Sequence, residues 1–260
     1  MSMDKVRKDL KELAALIEDG ATLVVGGFGA CGTPVTLIEA VAAAGPKRLK
    51  LVANNCGTDG YGLGLLLLNG QLERITASYI GDNLEVAKKY AAGEVELELV
   101  PQGTLAERMR AGGSGIAAFY TRAGVGTMVA DGGMPWKYAS DGSIALASPE
   151  RRTEEFDGER YVLERAVRGD VGLVHAAKGD RHGNLVFAKS ARNFNPLAAM
   201  AGRITIAEVE ELVEPGELQP DQIHVPGIFV QHIYELPEKL QKRVDRLTLN
   251  GRDEQWGVML

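Results

Sequence analysis

Asp19-Gly20-Ala21-Thr22-Leu23-Val24-Val25-Gly26-Gly27-Phe28-Gly29-Ala30-Cys31-Gly32-Thr33-Pro34 is the stretch whose reading decides the fold. Asp19-Gly20 is a turn pair. Thr22 to Val25 is an uninterrupted apolar run bounded by glycines, the pattern of a strand buried on both faces of a parallel sheet. Thr33-Pro34 then starts a helix, because proline suits the first helical turn, and Leu37, Ile38 and Val41 follow at helical spacing. Gly45-Pro46 closes it. A strand, a glycine turn and a helix N-terminus in succession expose backbone N–H groups and a positive dipole end, which favour an anion or a developing oxyanion. The same glycines also suit a tight turn needing positive φ, and spacing alone leaves both readings open. The turn has no Walker lysine and does not fit GxGxxG, so it implies neither nucleotide hydrolysis nor a dinucleotide site.

Outward from this unit the alternation repeats. Upstream, Val6, Leu10, Leu13 and Ile17 predict an amphipathic helix. Downstream, Lys50 to Ala53 reads as a second strand, followed by a glycine-rich loop from Asn54 to Gly64. Ile75 to Ile80 is a strand, Leu84 to Ala91 a helix, Val95 to Val100 a half-exposed strand and Thr104 to Arg110 a helix. Gly112 to Ser148 loses helical periodicity and predicts long loops and hairpins on top of the sheet, and Pro149 to Arg160 reads as surface. Val171 to Ala177, Leu185 to Phe187, Ile204 to Val209 and Ile228 to Ile233 are further strands. The fold class is therefore α/β, an open, mostly parallel sheet flanked by helices. Residues 1–233 form one domain, and 234–260 a C-terminal tail to which no role is assigned.

Composition bounds the function. The chain has 260 residues, 45% hydrophobic and 25% charged, enough for a full core without staples. A net charge of −6 argues against a nucleic-acid partner. No apolar stretch approaches a membrane span, and the charged start (Asp4, Lys5, Arg7, Lys8, Asp9) shows no secretory signal, so a cytoplasmic location is expected. The two cysteines, Cys31 and Cys56, form no CxxC pair, and the four histidines show no HExxH spacing. No metal site is expected.

Glycine is also abundant, 32 residues against a usual ~7%, and it is clustered in blocks. These include Asn54-Asn55-Cys56-Gly57 with Tyr61-Gly62-Leu63-Gly64, and Pro101-Gln102-Gly103-Thr104 running to Gly112-Gly113. Further on come Lys178-Gly179-Asp180-Arg181-His182-Gly183-Asn184-Leu185, then Ser190-Ala191-Arg192-Asn193-Phe194-Asn195-Pro196. Thr205 to Val213 and Pro226-Gly227-Ile228-Phe229-Val230 complete the order. Together with Asp19 to Pro34, this succession resembles the class I coenzyme A transferases, and within them the A half of the enzymes that act on short 3-oxo acids.

The resemblance implies an enzyme moving CoA from succinyl-CoA, or a similar acyl-CoA, to a 3-oxo acid such as acetoacetate, by ping-pong covalent catalysis. In the family the nucleophilic glutamate lies on a separate B subunit or in the second half of fused chains. A B subunit is thus the expected partner in a hetero-oligomer, with CoA esters as substrates and no resident cofactor. Carried over by position, Asn54 would help stabilise the oxyanion and Gln102 would face the substrate carboxylate and the nucleophile. Gly26, Gly27, Phe28 and Gly29 would form a backbone wall of the cleft, and Asn55 and Gly57 would shape the second-block loop. A side chain at Gly27 should strain φ or intrude on the ligand. Cys31, Cys56, Glu107 and Arg108 read as packing or ion pairs. Arg181 and Arg192 suit either an anionic partner or a salt bridge to another subunit, and His182 has no nameable partner.

Departures from the family pattern include Val35-Thr36 after the proline, Ile116 to Arg122, and Ala176-Ala177. They bear on substrate identity. A 3-oxoadipate acceptor is the alternative within the class. Outside it stand a sugar-phosphate isomerase or CoA-ester-binding protein on the same fold, and a self-sufficient enzyme using Cys31 or a local glutamate.

Overall fold

A computed structural model describes residues 4–240. Its elements begin with α1 (Leu10–Ala14), β1 (Thr22–Val25), α2 (Val35–Ala44), β2 (Leu49–Val52), α3 (Gly64–Leu68), β3 (Leu72–Ala77), α4 (Leu84–Ala91), β4 (Glu96–Leu99) and α5 (Gln102–Gly113). A smaller set follows: β5 (Ala118–Thr121), α6 (Met128–Asp131), β6 (Pro135–Tyr138), β7 (Ile144–Ala147), β8 (Thr153–Phe156) and β9 (Glu159–Arg165). The chain then returns to the main sheet through β10 (Gly169–Asp180), β11 (Leu185–Val186), α7 (Asn195–Ala201), β12 (Gly202–Val213) and β13 (His232–Glu235). Among the described residues no helix is long and apolar enough to cross a membrane.

The main sheet runs β13-β12-β10-β1-β2-β3-β4, all parallel, and β11 adds an antiparallel pair to the far end of β10. β1 lies between β10 and β2, which explains its uninterrupted apolar run. Leu23 and Val25 face a core shared with Leu37, Ile38 and Val41 of α2 and with Leu66 of α3, while Val24 faces a second core with Leu105, Met109 and Ala198. Helices therefore cover both faces: α1 to α4 on one side, α5 and α7 on the other. This is the open, mostly parallel α/β sheet expected.

The largest local departure is at the N-terminus. α1 covers only Leu10–Ala14, and Val6 instead makes a parallel bridge to Ile233, with Arg7 N–H donating to the Ile233 carbonyl at 2.8 Å. Pairing with β13 outweighs the helical spacing of Val6. Pro149 to Arg160, expected simply as surface, carries β8 and the start of β9, which pair antiparallel in a small sheet of order β5-β9-β8. Within it Arg151 is largely enclosed, ion-paired to Glu164 and, at 3.4 Å, to Glu98. The hairpin β6–β7 bears out the hairpin reading of Gly112 to Ser148. Of Ile228 to Ile233, only the end is strand; Gly227–Phe229 is a 3-10 turn. α7 has no counterpart among the helices expected from sequence. Tyr234 and Glu235 belong to β13 and Leu236 is buried, while residues 241–260, most of the expected tail, lie outside the described residues.

The block Lys178 to Leu185 is explained by turn chemistry. Buried Asp180 accepts the backbone N–H groups of His182 (3.0 Å) and Asn184 (2.9 Å) and the Asn184 side-chain amide (2.7 Å), closing the β10–β11 turn. Asn184 Oδ1 then accepts Gly227 N–H at 2.8 Å, so this block binds the Pro226-Gly227 block directly.

Candidate active site

Strand order reverses at β1: the chain builds outward through β2, β3 and β4, then resumes on the opposite edge with β10. In an open α/β sheet a crevice forms beyond the carboxyl ends of the strands at such a switch point. The glycine turn leaves β1 here. Phe28 and Cys31 exchange two backbone hydrogen bonds of 3.0 Å, a tight hairpin that leaves Phe28 46% exposed at its tip.

Asn54 and Asn55 leave the adjacent strand β2, and the two loops are joined by side chains. Asn55 Oδ1 accepts Gly29 N–H at 3.1 Å, and its amide approaches the Gly29 carbonyl at 3.4 Å. Asn54 is buried, 3% exposed. Its Oδ1 accepts the Gln102 amide at 3.0 Å and the Ser78 hydroxyl at 2.9 Å. That network assigns Oδ1 as the acceptor and leaves the Asn54 NH2 as the donor, one N–H drawn to Asn55 Oδ1 at 3.3 Å. Gln102 opens α5, so β2, the end of β3 and the start of α5 converge on one carboxamide, whose second N–H is the donor left over.

The structure thus brings together Gly29, Asn54, Asn55 and Gln102. Gly26, Gly27, Gly29, Asn54, Asn55 and Gly57 line a gap of about 10 Å³, room for roughly one water molecule. The larger cavities lie elsewhere. One of 540 Å³ sits beside α1 and the end of α2, away from the carboxyl ends of the strands, and has an apolar lining of alanines.

The glycines have separable reasons. A Cβ on Gly26 would fall 2.0 Å from Asn195 Oδ1, so packing against Asn195 alone requires glycine there. A Cβ on Gly57, at φ +64°, would fall 2.5 Å from the Tyr61 carbonyl oxygen. Gly27 holds φ +113°, and its Cβ would meet Thr33 Oγ1 at 2.7 Å. Strain of about 1–3 kcal/mol is expected from the backbone alone. Gly27→Val should therefore lose thermal stability as well as activity, measured by Tm. An unchanged Tm would show that the turn relaxes freely.

Sequence reasoning missed Ser78, which it placed inside the expected strand Ile75 to Ile80 but which stands just past the end of β3, and it missed a buried charged set on β10 and β12. His175 pairs in register with Glu208. Its Nδ1 lies 2.9 Å from Glu208 Oε1 and its Nε2 3.2 Å from Glu210 Oε1. Burial pulls the imidazole pKa down, but the two carboxylates outweigh it and raise the value to about 9. The folded pKa exceeds the ordinary value of 6.5, so this stabilisation is complete below pH 6.5 and is lost as pH rises through 9. Unfolding free energy should fall over that window by at most about 1.4 kcal/mol per pH unit, and His175→Gln should remove the slope. Equal slopes in both proteins would contradict the pairing.

Several of the other residues singled out by sequence are engaged within the chain or packed, whereas Arg192 is exposed and His182 half-buried. Arg181 pairs with Glu214 (2.9 Å) and Asp4 (3.2 Å), Glu107 with Arg110 (2.6 Å), and Arg108 with Glu98 (2.9 Å). Cys56 is fully buried and burial pushes its thiol up to about 12, the wrong direction for a nucleophile. Cys31 lies 3.3 Å from the Ser190 hydroxyl.

Residues 7–236 match the coenzyme A transferase family. The chain belongs to that family. It is 56% identical over 247 residues to the A subunit of the probable succinyl-CoA:3-ketoacid coenzyme A transferase of Mycobacterium tuberculosis, covering 95% of this chain and 99% of that one. It is 49% identical over 245 residues to the human mitochondrial succinyl-CoA:3-ketoacid coenzyme A transferase 2, covering 94% of this chain but 47% of the human protein. The crystal structure of an Escherichia coli acyl-CoA transferase superposes with a TM-score of 0.77 at 22% identity, over 93% of this chain and 48% of that one. This CoA-transferase chain thus spans about half the length of those two longer proteins.

Proposed function

We propose that this chain is the A half of a two-part CoA-transferase, taking CoA from succinyl-CoA to a short 3-oxo acid such as acetoacetate, with the nucleophilic glutamate on a B subunit. The observation that carries the reading is the Asn54 amide, buried at the switch point and aimed by Ser78 and Gln102. The mycobacterial relative, itself an A subunit, and the match to half of the longer proteins support a missing second half. So does the gap itself, far too small for an acyl-CoA until another surface faces it.

In this reading a partner carboxylate attacks the thioester carbonyl, CoA thiolate leaves, and an acyl-glutamyl anhydride remains. The thiolate attacks the glutamyl carbonyl, releasing succinate and leaving a glutamyl-CoA thioester. The acceptor carboxylate repeats the sequence in reverse and leaves as its CoA ester. Each addition puts negative charge on a carbonyl oxygen, and the Asn54 N–H is the donor for it. Gln102 has two tasks, orienting Asn54 and facing the acid. CoA esters are the only coenzyme form required, and they are substrates. Two free cysteines, Cys31 and Cys56, suit a reducing compartment such as the cytoplasm.

The test is turnover by the chain copurified with a B-type partner, assayed with succinyl-CoA and either acetoacetate or 3-oxoadipate. Preference for acetoacetate is expected. Preference for 3-oxoadipate would reassign the acceptor, and no transfer to either would overturn the reading.

A further inference from the structure

Beneath the glycine turn lies a second layer of polar contacts that does not face the cleft. Asn195, the first residue of α7, is completely buried. Its Nδ2 donates to the carbonyls of Gly32 (2.9 Å) and Ala191 (2.8 Å), and its Oδ1 accepts the backbone N–H of His175 at 3.0 Å. Both ends of the turn are shaped around this one carboxamide. A Cβ on Gly26 would lie 2.0 Å from Oδ1, and a Cβ on Gly32 2.7 Å from Nδ2.

The helix after the turn is tied to the same strands. α2 is preceded by Pro34, which supplies no side-chain cap, and the N–H of Leu37 donates to Glu208 Oε2 at 2.9 Å. A carboxylate from β12 thus takes the place of a local cap. The other oxygen of Glu208 holds His175, whose backbone N–H is the one that Asn195 accepts.

We propose that Asn195 is a positioning residue for the transferase site, clamping the entry and exit of the Gly26–Gly32 turn so that Gly29 meets Asn55 and, through it, Asn54 is held in line. This rests on the transferase reading of the site. The path is short: Gly32 to Asn195 on one side of the turn, Gly29 to Asn55 at 3.1 Å on the other, Asn55 to Asn54 at 3.3 Å. Loosening the turn displaces the oxyanion donor without removing any group that touches substrate.

The experiment compares wild type and Asn195→Ala, each assembled with a B-type partner, using succinyl-CoA and acetoacetate. kcat should fall ~10–100-fold while KM for either substrate stays within about 2-fold, the pattern of a displaced donor. Amide hydrogen exchange gives a readout independent of activity. Peptides covering residues 26–33 should exchange at least ~10-fold faster, while those from β3 and β4 stay as in wild type. Asn195→Ser, too short to reach the Gly32 carbonyl, should behave alike and serves if the alanine variant does not fold. Unchanged exchange in the turn, or equal acceleration of every peptide, overturns the clamp, as does failure of both variants to fold. If the wild-type complex itself is inactive, the functional reading fails, and the exchange comparison still decides the clamp.

Discussion

Asn54→Ala in the assembled enzyme is expected to lower kcat by ~10²–10³, the usual consequence of removing one oxyanion donor. KM should move much less, because the hydrogen bond strengthens only as charge develops in the transition state. Asn54→Asp is the sharper variant. It keeps the shape but points an oxygen where the NH2 stood, and it sets a carboxylate against Asn55 Oδ1 at 3.3 Å. It should be at least as impaired as the alanine variant. Ser78→Ala, which removes one of the two bonds that aim Asn54 but leaves Gln102, should lose less than either. An unchanged kcat in Asn54→Ala would reduce the residue to a turn former after β2.

The fold was legible where local pattern and tertiary role agree. Thr22 to Val25 is apolar throughout because both faces of β1 are covered, and Leu84 to Ala91 is a helix with Asn83 as its cap, its side chain accepting Val86 N–H at 3.2 Å. The pattern misled where distant pairing decides. Val6 has helical spacing with Leu10 but is held by Ile233, on the far side of the chain. β8 is fully exposed, so it offers no apolar alternation to read. α7 is short, opens on Asn195-Pro196, and is buried through alanines that carry little periodic signal.

The site was legible in a different way. Asn54 and Gln102 stand 48 positions apart, and nothing in their spacing joins them; the family resemblance supplied both, and the fold shows the bond between them. Ser78 and Asn195 carry no such mark. Their roles depend on which carbonyl or amide the fold brings within 3 Å, and no single-sequence pattern encodes that. The glycine signature mixes both kinds of reason: Gly27 answers to backbone conformation, Gly26 to a side chain more than 160 residues away, and Gly32, at φ +68°, to both.

The second large effect is expected of the chain by itself. In the proposed reading it offers an oxyanion donor, but the glutamates nearest the matched blocks are held elsewhere: Glu107 is paired to Arg110 on α5, and Glu39 sits within α2. A covalent step needs its nucleophile held at attacking distance, so half a site should give no detectable transfer. The most direct measurement is intact-mass spectrometry of both proteins after the complex is incubated with succinyl-CoA. A CoA-sized mass increase is expected on the partner and none on this chain, with no transfer when the partner is omitted. A covalent adduct on this chain, or robust transfer by it alone with the partner excluded by mass, would contradict a site divided between two chains.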